Sequence, residues 1–579
     1  MLEWLPPHLH IYTISQSHIF IFASQLFSVS LQSVLSTLIP MKRTFILLSF
    51  LLLCLAPCKA QLFRNLFHRA PADSIAGRDR VDEVFSLIHD NYVETPNTDR
   101  LSDEAIRRML RVLDPHCLYI PAKDVERANE SLQGNFIGIG MTFNIIRDSV
   151  VIIDLTPGGV AERVGMQRGD RLVMADGHSL VGDTVNSNTV AKYVRGPQGS
   201  QADFEVVRKG QRIPFHLTRE RINIPSVTPF FMVDSTTGYI CIVRFARNTL
   251  AEFNQALRDL KKQGMKNLLL DLRGNTGGFL DMAVGLANEF LDRGDLIVYT
   301  QGRAQKRTDA AANGRGNFRA KRSADGSYPS GRLVVMLDEH SASASEVLSG
   351  ALQDHDRAVI VGRRSFGKGL VQRVYTLRDG SQVRLTTARY YTPSGRCIQK
   401  PYGDSINYND DLHQRLLHGE LTSADSIKHQ IPDSLRFQTR HGRTVYGGGG
   451  IIPDIFVPLD TARLTPFAAT CRRKNVVRDF AQDFADAHRT EFPTFDSQLS
   501  IVNLDSLFTL YAASKGYTRD SLNADTALWT PDRVAHSEAY LHALLQSEVA
   551  QRLFGTAYYY RVMKDFDDLF RVALGEIRK

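Results

Sequence analysis

A serine in Ser341-Ala342-Ser343-Ala344-Ser345-Glu346 and a lysine in Phe366-Gly367-Lys368-Gly369 carry the chemistry this chain offers. A serine hydroxyl is a poor nucleophile until a base takes its proton. A lysine can be that base only when neutral, and at an ordinary pKa of about 10.4 neutrality at pH 7 costs about 4.6 kcal/mol. Desolvation can shift a lysine by up to about 3–5 units. The apolar run Ala358-Val359-Ile360-Val361 and the glycines beside Lys368 fit a buried, closely packed amine. Gln372 follows in the same segment and can hold that amine by a hydrogen bond.

Attack on a carbonyl places negative charge on oxygen, so donors must be waiting for it. The backbone N–H of Ala344 is one candidate. Gly277 or Gly278 supplies the second, because glycine lets backbone approach a substrate closely. Each piece also has a plainer reading. Ser343 and Glu346 have the spacing of a helix capping box. Lys368 alone would be a solvated charge, and Gly277-Gly278 a turn. His340 beside Ser341 invites a histidine triad, but adjacency in sequence does not create triad geometry. Catalysis rests on the whole set occurring in order within one α/β unit.

The elements that must position these groups are legible in part. Leu333-Val334-Val335-Met336-Leu337 reads as a buried strand ahead of Ser343, and residues 358–361 as another ahead of Lys368. Leu268-Leu269-Leu270-Asp271-Leu272 is a third, followed by the tight turn Arg273-Gly274-Asn275-Thr276-Gly277-Gly278 and a helix over 280–291. Strands alternating with helices from about 223 to 400 imply an α/β layered core. Residues 371–375 and 382–387 read as a hairpin across Leu377-Arg378-Asp379-Gly380-Ser381. Upstream, 134–220 is a β-rich unit. Its strands start at Gly138-Ile139-Gly140-Met141 and run over 150–155, 171–174 and 204–208, with short helices at 161–164 and 190–194. Val81, Val84, Phe85, Ile88, Ile106, Leu110 and Leu113 recur at helical intervals, and Pro115 stops that pattern in Leu113-Asp114-Pro115-His116. Residues 400–446 are polar and read as an insertion. From 461 onward the chain is helical again, with 540–545 and 566–577 the clearest amphipathic runs.

At 579 residues the chain requires several compact units. The division is 1–60, an upstream extension plus a secretory signal at 41–60; 61–133, helical; 134–220, β-rich; 221–460, the α/β core with its insertion; and 461–579, helical. The signal has a basic start at Met41-Lys42-Arg43, an apolar run over 45–55 and small residues in Cys58-Lys59-Ala60. It is too short for a spanning helix. Translation from Met41 would place it at the chain start. Export to a periplasm or cell envelope is therefore expected, with membrane association if the signal is retained or lipidated at Leu55-Ala56-Pro57-Cys58. The formal net charge of +8 is scattered, apart from a basic, Gly-rich stretch over 303–322. No aromatic-basic recognition motif accompanies that stretch, so nucleic acid is not an expected partner. Of six cysteines, two lie in the signal. Cys117, Cys241, Cys397 and Cys471 are far apart without metal-ligand spacing, so buried thiols and no metal or cofactor are expected.

Six motifs together resemble the carboxyl-terminal processing peptidases, or tail-specific proteases, over about 80–400 and again over 447–460. They are Leu113-Asp114-Pro115-His116, Phe136-Ile137-Gly138-Ile139-Gly140, the segment from Asp271 to Gly278, the segment from Ser341 to Glu346, Phe366-Gly367-Lys368-Gly369-Leu370-Val371-Gln372, and Tyr391-Thr392-Pro393-Ser394-Gly395-Arg396. The resemblance implies a serine protease with Ser343 as nucleophile, Lys368 as general base, Gln372 orienting the lysine and Glu346 supporting the site. It implies a crotonase-like α/β core and a PDZ domain at 134–220. Gly138, Ile139, Gly140 and Met141 would then hold a free peptide C-terminus through backbone N–H groups while the peptide adds as a strand. Arg195, in Arg195-Gly196-Pro197, would link peptide binding to activation of the protease. Thr276 stands where proline or glycine is commoner in the family, and 400–446 and the tail beyond 460 fall outside the shared pattern.

The expected function is an exported endopeptidase that clips proteins near their C-terminus, with protein or peptide substrates bearing free C-termini as partners. The helical ends are candidate surfaces for self-assembly. The rival from another class is a non-catalytic PDZ scaffold or quality-control chaperone. A scaffold need not keep Ser343, Lys368 and Gln372 together. A crotonase-like acyl-CoA enzyme is opposed by the export signal and the peptide-binding unit.

Overall fold

Leu268 and Leu270 face one side of a sheet and Leu269 the other, and both sides are buried. That double burial is why the strand reads as an unbroken apolar run rather than an alternating one. The sheet has six strands in the order Val227–Met232, Thr237–Ile242, Asn267–Asp271, Leu333–Leu337, Val359–Gly362 and Ile455–Phe456. The first pair is antiparallel and the rest are parallel. Helices Thr249–Lys262, Leu280–Ala287 and Ala344–Asp354 cover one face. Leu569, Phe570, Ala573 and Ile577 of helix Asp568–Ile577 pack on the other, against Tyr239, Leu269 and Val334.

The computed structural model describes residues 72–303, 316–321, 328, 330–403, 406–428, 431–461, 464–495, 502–523 and 530–579. The expected signal at 41–60, with Cys54 and Cys58, lies outside the described residues, as does most of the basic stretch over 303–322. Two compact units are distinguished, Met1–Leu101 and Ser102–Lys579. In the first, the described residues include helix Ala72–Asn91. Among the described residues no helix is long and apolar enough to cross a membrane.

A second sheet orders Leu118–Ile120, Gln382–Tyr391, Leu296–Gln301 and Asn317–Arg319, with Leu370–Thr376 also paired to Gln382–Tyr391. The expected hairpin is thus present, with longer arms. The β-rich unit is an antiparallel sheet of Met141–Ile146, Ser149–Leu155, Arg171–Ala175, Gln201–Arg208 and Gln211–Thr218, with His178–Ser179 paired to Arg171–Ala175. Helices Val160–Arg163 and Ser187–Val194 flank it.

Three local readings change. No strand starts at Gly138. Asn135–Gly138 ends there, paired with Glu220–Asn223, and a different sheet begins at Met141. Gly140, at φ +80°, makes the break, and Ile139 is buried in the core of the unit. The helix expected over 280–291 ends at Ala287, although Phe290 and Leu291 stay buried in the turn that follows. Strand Gln211–Thr218 extends the sheet beyond the strands that the sequence pattern marks. It returns from Gln201–Arg208 through Lys209 and Gly210, both at positive φ, the signature of a two-residue hairpin turn.

The 400–446 segment is packed onto the core. Its helix Asp411–Leu417 carries a buried Arg415 that donates to Glu420 and to the carbonyls of Arg364 and Ser365. Helices Pro466–Arg473, Val476–His488, Leu504–Ser514 and Pro531–Phe554 share an apolar core of their own.

Candidate active site

Ser343 ends the turn after strand Leu333–Leu337 and begins helix Ala344–Asp354, at φ 58° and ψ −111°. A non-glycine residue there carries about 1–3 kcal/mol of strain and persists only where its surroundings hold it. They do. The Ser343 N–H donates to Glu346 Oε2 at 2.7 Å, Ala342 N–H donates to the Asn275 carbonyl at 2.9 Å, and Ser345 Oγ donates to that same carbonyl at 2.9 Å.

Glu346 is fully buried and serves both halves of the site. Besides Ser343, it accepts from Lys368 N–H at 2.9 Å, Gly367 N–H at 2.7 Å and Ser365 Oγ at 2.5 Å. Burial pushes its carboxyl above the usual range, and these four donors oppose that shift. One carboxylate therefore fixes the backbone of the serine and of the lysine. The capping arrangement and the active-site arrangement are the same bond.

Lys368 is largely shielded from solvent. Its amine is held below the ordinary lysine range by burial first and by the Arg384 guanidinium second, with Glu346 and Asp114 pulling the other way. Lys368 Nζ donates to Gln372 Oε1 at 3.1 Å, and Gln372 Nε2 donates to the His116 carbonyl at 2.5 Å. Tyr390, buried on strand Gln382–Tyr391, places its hydroxyl 3.0 Å from the Ser343 carbonyl and in hydrogen-bond contact with the Lys368 carbonyl.

A cavity of about 290 Å³ brings these groups together. Thr276, Gly277, Gly278, Ser343, Ala344, Lys368, Gln372, Arg384 and Tyr390 line it, with Leu132 at one wall. His340 is not among the lining residues; its ring nearest to an acid lies 3.9 Å from Glu339. The two glycines divide their work. Gly277 N–H donates to Asn275 Oδ1 at 2.9 Å and is not free for a substrate. A Cβ on Gly277 would lie 2.7 Å from Ser343 Cβ, so its value is close approach. The N–H groups of Gly278 and Ala344 have no acceptor among the described residues, and both residues line the cavity. They are the pair of backbone donors that the cavity leaves available.

In the β-rich unit, strand Met141–Ile146 pairs on one edge only, with Ser149–Leu155, leaving the other edge open among the described residues. Gly138 sits against the end of helix Ser187–Val194, where a Cβ would lie 3.2 Å from the Val194 carbonyl. The carbonyls of Ile139 and Gly140 accept from Ala161 and Thr156 N–H, so this segment is fixed in shape. Arg195 is already paired: it donates to Glu130 Oε2 at 2.6 Å and its guanidinium lies 5.1 Å from the Phe136 ring centre. The described cysteines are free thiols. Among the described residues no cluster of His, Cys, Asp and Glu has a metal-holding arrangement.

Sequence reasoning missed Tyr390, Arg384, Asn275 and the His116 carbonyl. Tyr390 left one usable signal, since a buried tyrosine hydroxyl needs a partner.

Peptidase family S41 matches residues 236–406, and a PDZ domain matches 151–208. A carboxy-terminal-processing protease of Bartonella bacilliformis is 33% identical over 329 residues, covering 55% of this chain and 72% of the relative. The chain belongs to peptidase family S41. This S41 chain is also 32% identical over 324 residues to a probable CtpA-like serine protease of Staphylococcus aureus, covering 56% of the chain and 63% of that relative's length. A photosystem II D1 C-terminal processing protease structure aligns at 26% identity and a TM-score of 0.32, covering 66% of this chain and 93% of its own. The S41 chain is accordingly a serine peptidase with a PDZ domain.

Proposed function

We propose that this S41 peptidase is an exported endopeptidase cutting protein chains near their C-termini with Ser343 and Lys368. The observation that carries the reading is one cavity lined by both residues, with the lysine desolvated and its amine hydrogen-bonded to Gln372. Ser343 Oγ attacks the peptide carbonyl carbon as its proton passes to neutral Lys368 Nζ. The oxyanion is met by the N–H groups of Gly278 and Ala344. The lysine ammonium returns its proton to the leaving amine, the C–N bond breaks and an acyl-serine remains. Water then attacks the ester, giving its proton to Lys368; the ester C–O bond breaks, the lysine ammonium returns that proton to Ser343 Oγ, and the acid product leaves. Gln372 and Glu346 position the base and the nucleophile.

The PDZ unit, 134–220, binds the substrate's free C-terminus at Gly138, Ile139, Gly140 and Met141, and the peptide adds to the open edge of Met141–Ile146. The crotonase-like protease core spans 221–460 with its 400–446 insertion, between helical segments at 61–133 and 461–579. Those segments supply surfaces for self-assembly, and a retained signal would hold the enzyme at a membrane. Peptide binding completes the alignment of the site.

Purified protein tested on an unfolded substrate decides the matter. Ser343→Ala and Lys368→Ala should each lower kcat/KM by about 10⁴-fold or more with an unchanged circular dichroism spectrum. Full activity in either variant refutes the assignment.

A further inference from the structure

Arg384 stands in the cavity wall, on strand Gln382–Tyr391, beside Lys368 and Ser343. Its Nη2 donates to the Ala128 carbonyl at 3.2 Å and to Asn129 Oδ1 at 3.0 Å, both on helix Val125–Gln133. These neutral acceptors set its direction without neutralising it. Its Nε is buried with no hydrogen-bond partner, and among the described residues no carboxylate is paired with it.

The acids nearest the site are committed elsewhere. Glu346 accepts four donors from the serine and lysine loops. Asp114 accepts the N–H groups of His116 and Cys117 and the Cys117 thiol. The cleft therefore holds a fixed, half-buried positive charge with donor capacity to spare. An unpaired buried guanidinium is costly, and a carboxylate entering the cleft relieves that cost with charge-assisted hydrogen bonds.

We propose that Arg384 is a specificity residue of the cleavage cleft that binds a carboxylate of the peptide near the scissile bond. The carboxylate is an acidic side chain or, where the cut falls close to the chain end, the terminal carboxylate itself. The inference rests on the Ser343–Lys368 reading of the same cavity.

The test uses the full chain and internally quenched peptides in which one Glu is walked through the positions flanking the cut, each paired with its Gln counterpart. A parallel set pairs a free C-terminus with an amidated one. Wild type should cleave the best Glu peptide about tenfold or more faster than its Gln partner in kcat/KM, with most of the difference in KM. In Arg384→Gln that ratio should fall to about one, and in Arg384→Lys to an intermediate value. A free-to-amidated ratio that collapses in Arg384→Gln, in place of the Glu-to-Gln ratio, assigns the carboxylate to the chain end. If Arg384→Gln fails to fold, the wild-type ratios and their reduction in Arg384→Lys decide. Equal cleavage of all pairs by wild type overturns the inference and leaves the peptidase reading intact, as do ratios unchanged in the variants. A wild type that cleaves none of the peptides, and no unfolded protein either, overturns both.

Discussion

A single carboxylate, Glu346, accepts from Ser343, Ser365, Gly367 and Lys368. An amide in its place would set an NH₂ donor against two of those donors. Glu346→Gln is therefore expected to lower kcat by about 10²-fold while KM changes little, and to cost about 1–3 kcal/mol in urea unfolding. A loss confined to stability, with kcat intact, would show that Glu346 only caps the helix. The capping spacing was visible in the sequence and the resemblance implied a supporting role, but the bonds that would carry that role were not legible, because Gly367 and Lys368 reach Glu346 through folding of a distant loop. Choosing between Gly277 and Gly278 was equally out of reach. It depends on Asn275, whose Nδ2 is anchored on the Ile242 carbonyl while its Oδ1 takes the Gly277 N–H. Lys368 was legible because the apolar run before it and the glycines around it are local.

Helix Val125–Gln133 touches three partners at once. Glu130 takes Arg195 from the PDZ unit, Asn129 takes Arg384, and Leu132 lines the cavity shared by Ser343 and Lys368. Breaking the first contact should loosen the other two. Arg195→Ala is expected to lower kcat several-fold, with Arg195→Lys recovering part of it, and to cost under about 1 kcal/mol in unfolding because the pair is partly exposed. Wild-type kcat in Arg195→Ala would remove this helix as a link between peptide binding and catalysis. The sequence showed the parallel strands well, since burial on both faces makes them continuous apolar runs. It hid Gln211–Thr218 because Pro214 argues against a strand. That strand is the last in its sheet, where a proline is tolerated.

At the scale of the whole molecule, the C-terminal helices join the PDZ unit to the protease core. Arg147 and Arg171 of the PDZ unit pair with Asp483 at 2.6 Å and Asp486 at 3.2 Å on helix Val476–His488. At the other end, Asp567 accepts from Arg273 Nη1 at 2.5 Å, and Arg273 is itself paired with Asp271 at 2.7 Å. Arg273 opens the turn that carries Gly278, so the tail reaches the turn proposed to hold an oxyanion donor. Asp567 also caps helix Asp568–Ile577, a duty that asparagine can keep. Asp567→Asn should therefore preserve the helix, cost about 1–3 kcal/mol in unfolding and lower kcat more than it raises KM. Unaltered kcat would make the tail a brace only. The tail's helices could be read from periodicity. Its contacts could not, because Asp567 and Arg273 are far apart in the chain.

The account turns on a neutral Lys368 activating Ser343, and labelling by an acylating or phosphonylating agent across a pH series tests it most directly. Intact-mass and peptide-mapping analysis should find one adduct, on Ser343. Its rate should rise with pH through a single ionisation below the ordinary lysine value of about 10.4, because burial and Arg384 hold the amine there and only its neutral form accepts a proton. Lys368→Ala should abolish the labelling. Folded wild type that forms no Ser343 adduct, or labelling that persists unchanged in Lys368→Ala, would contradict it.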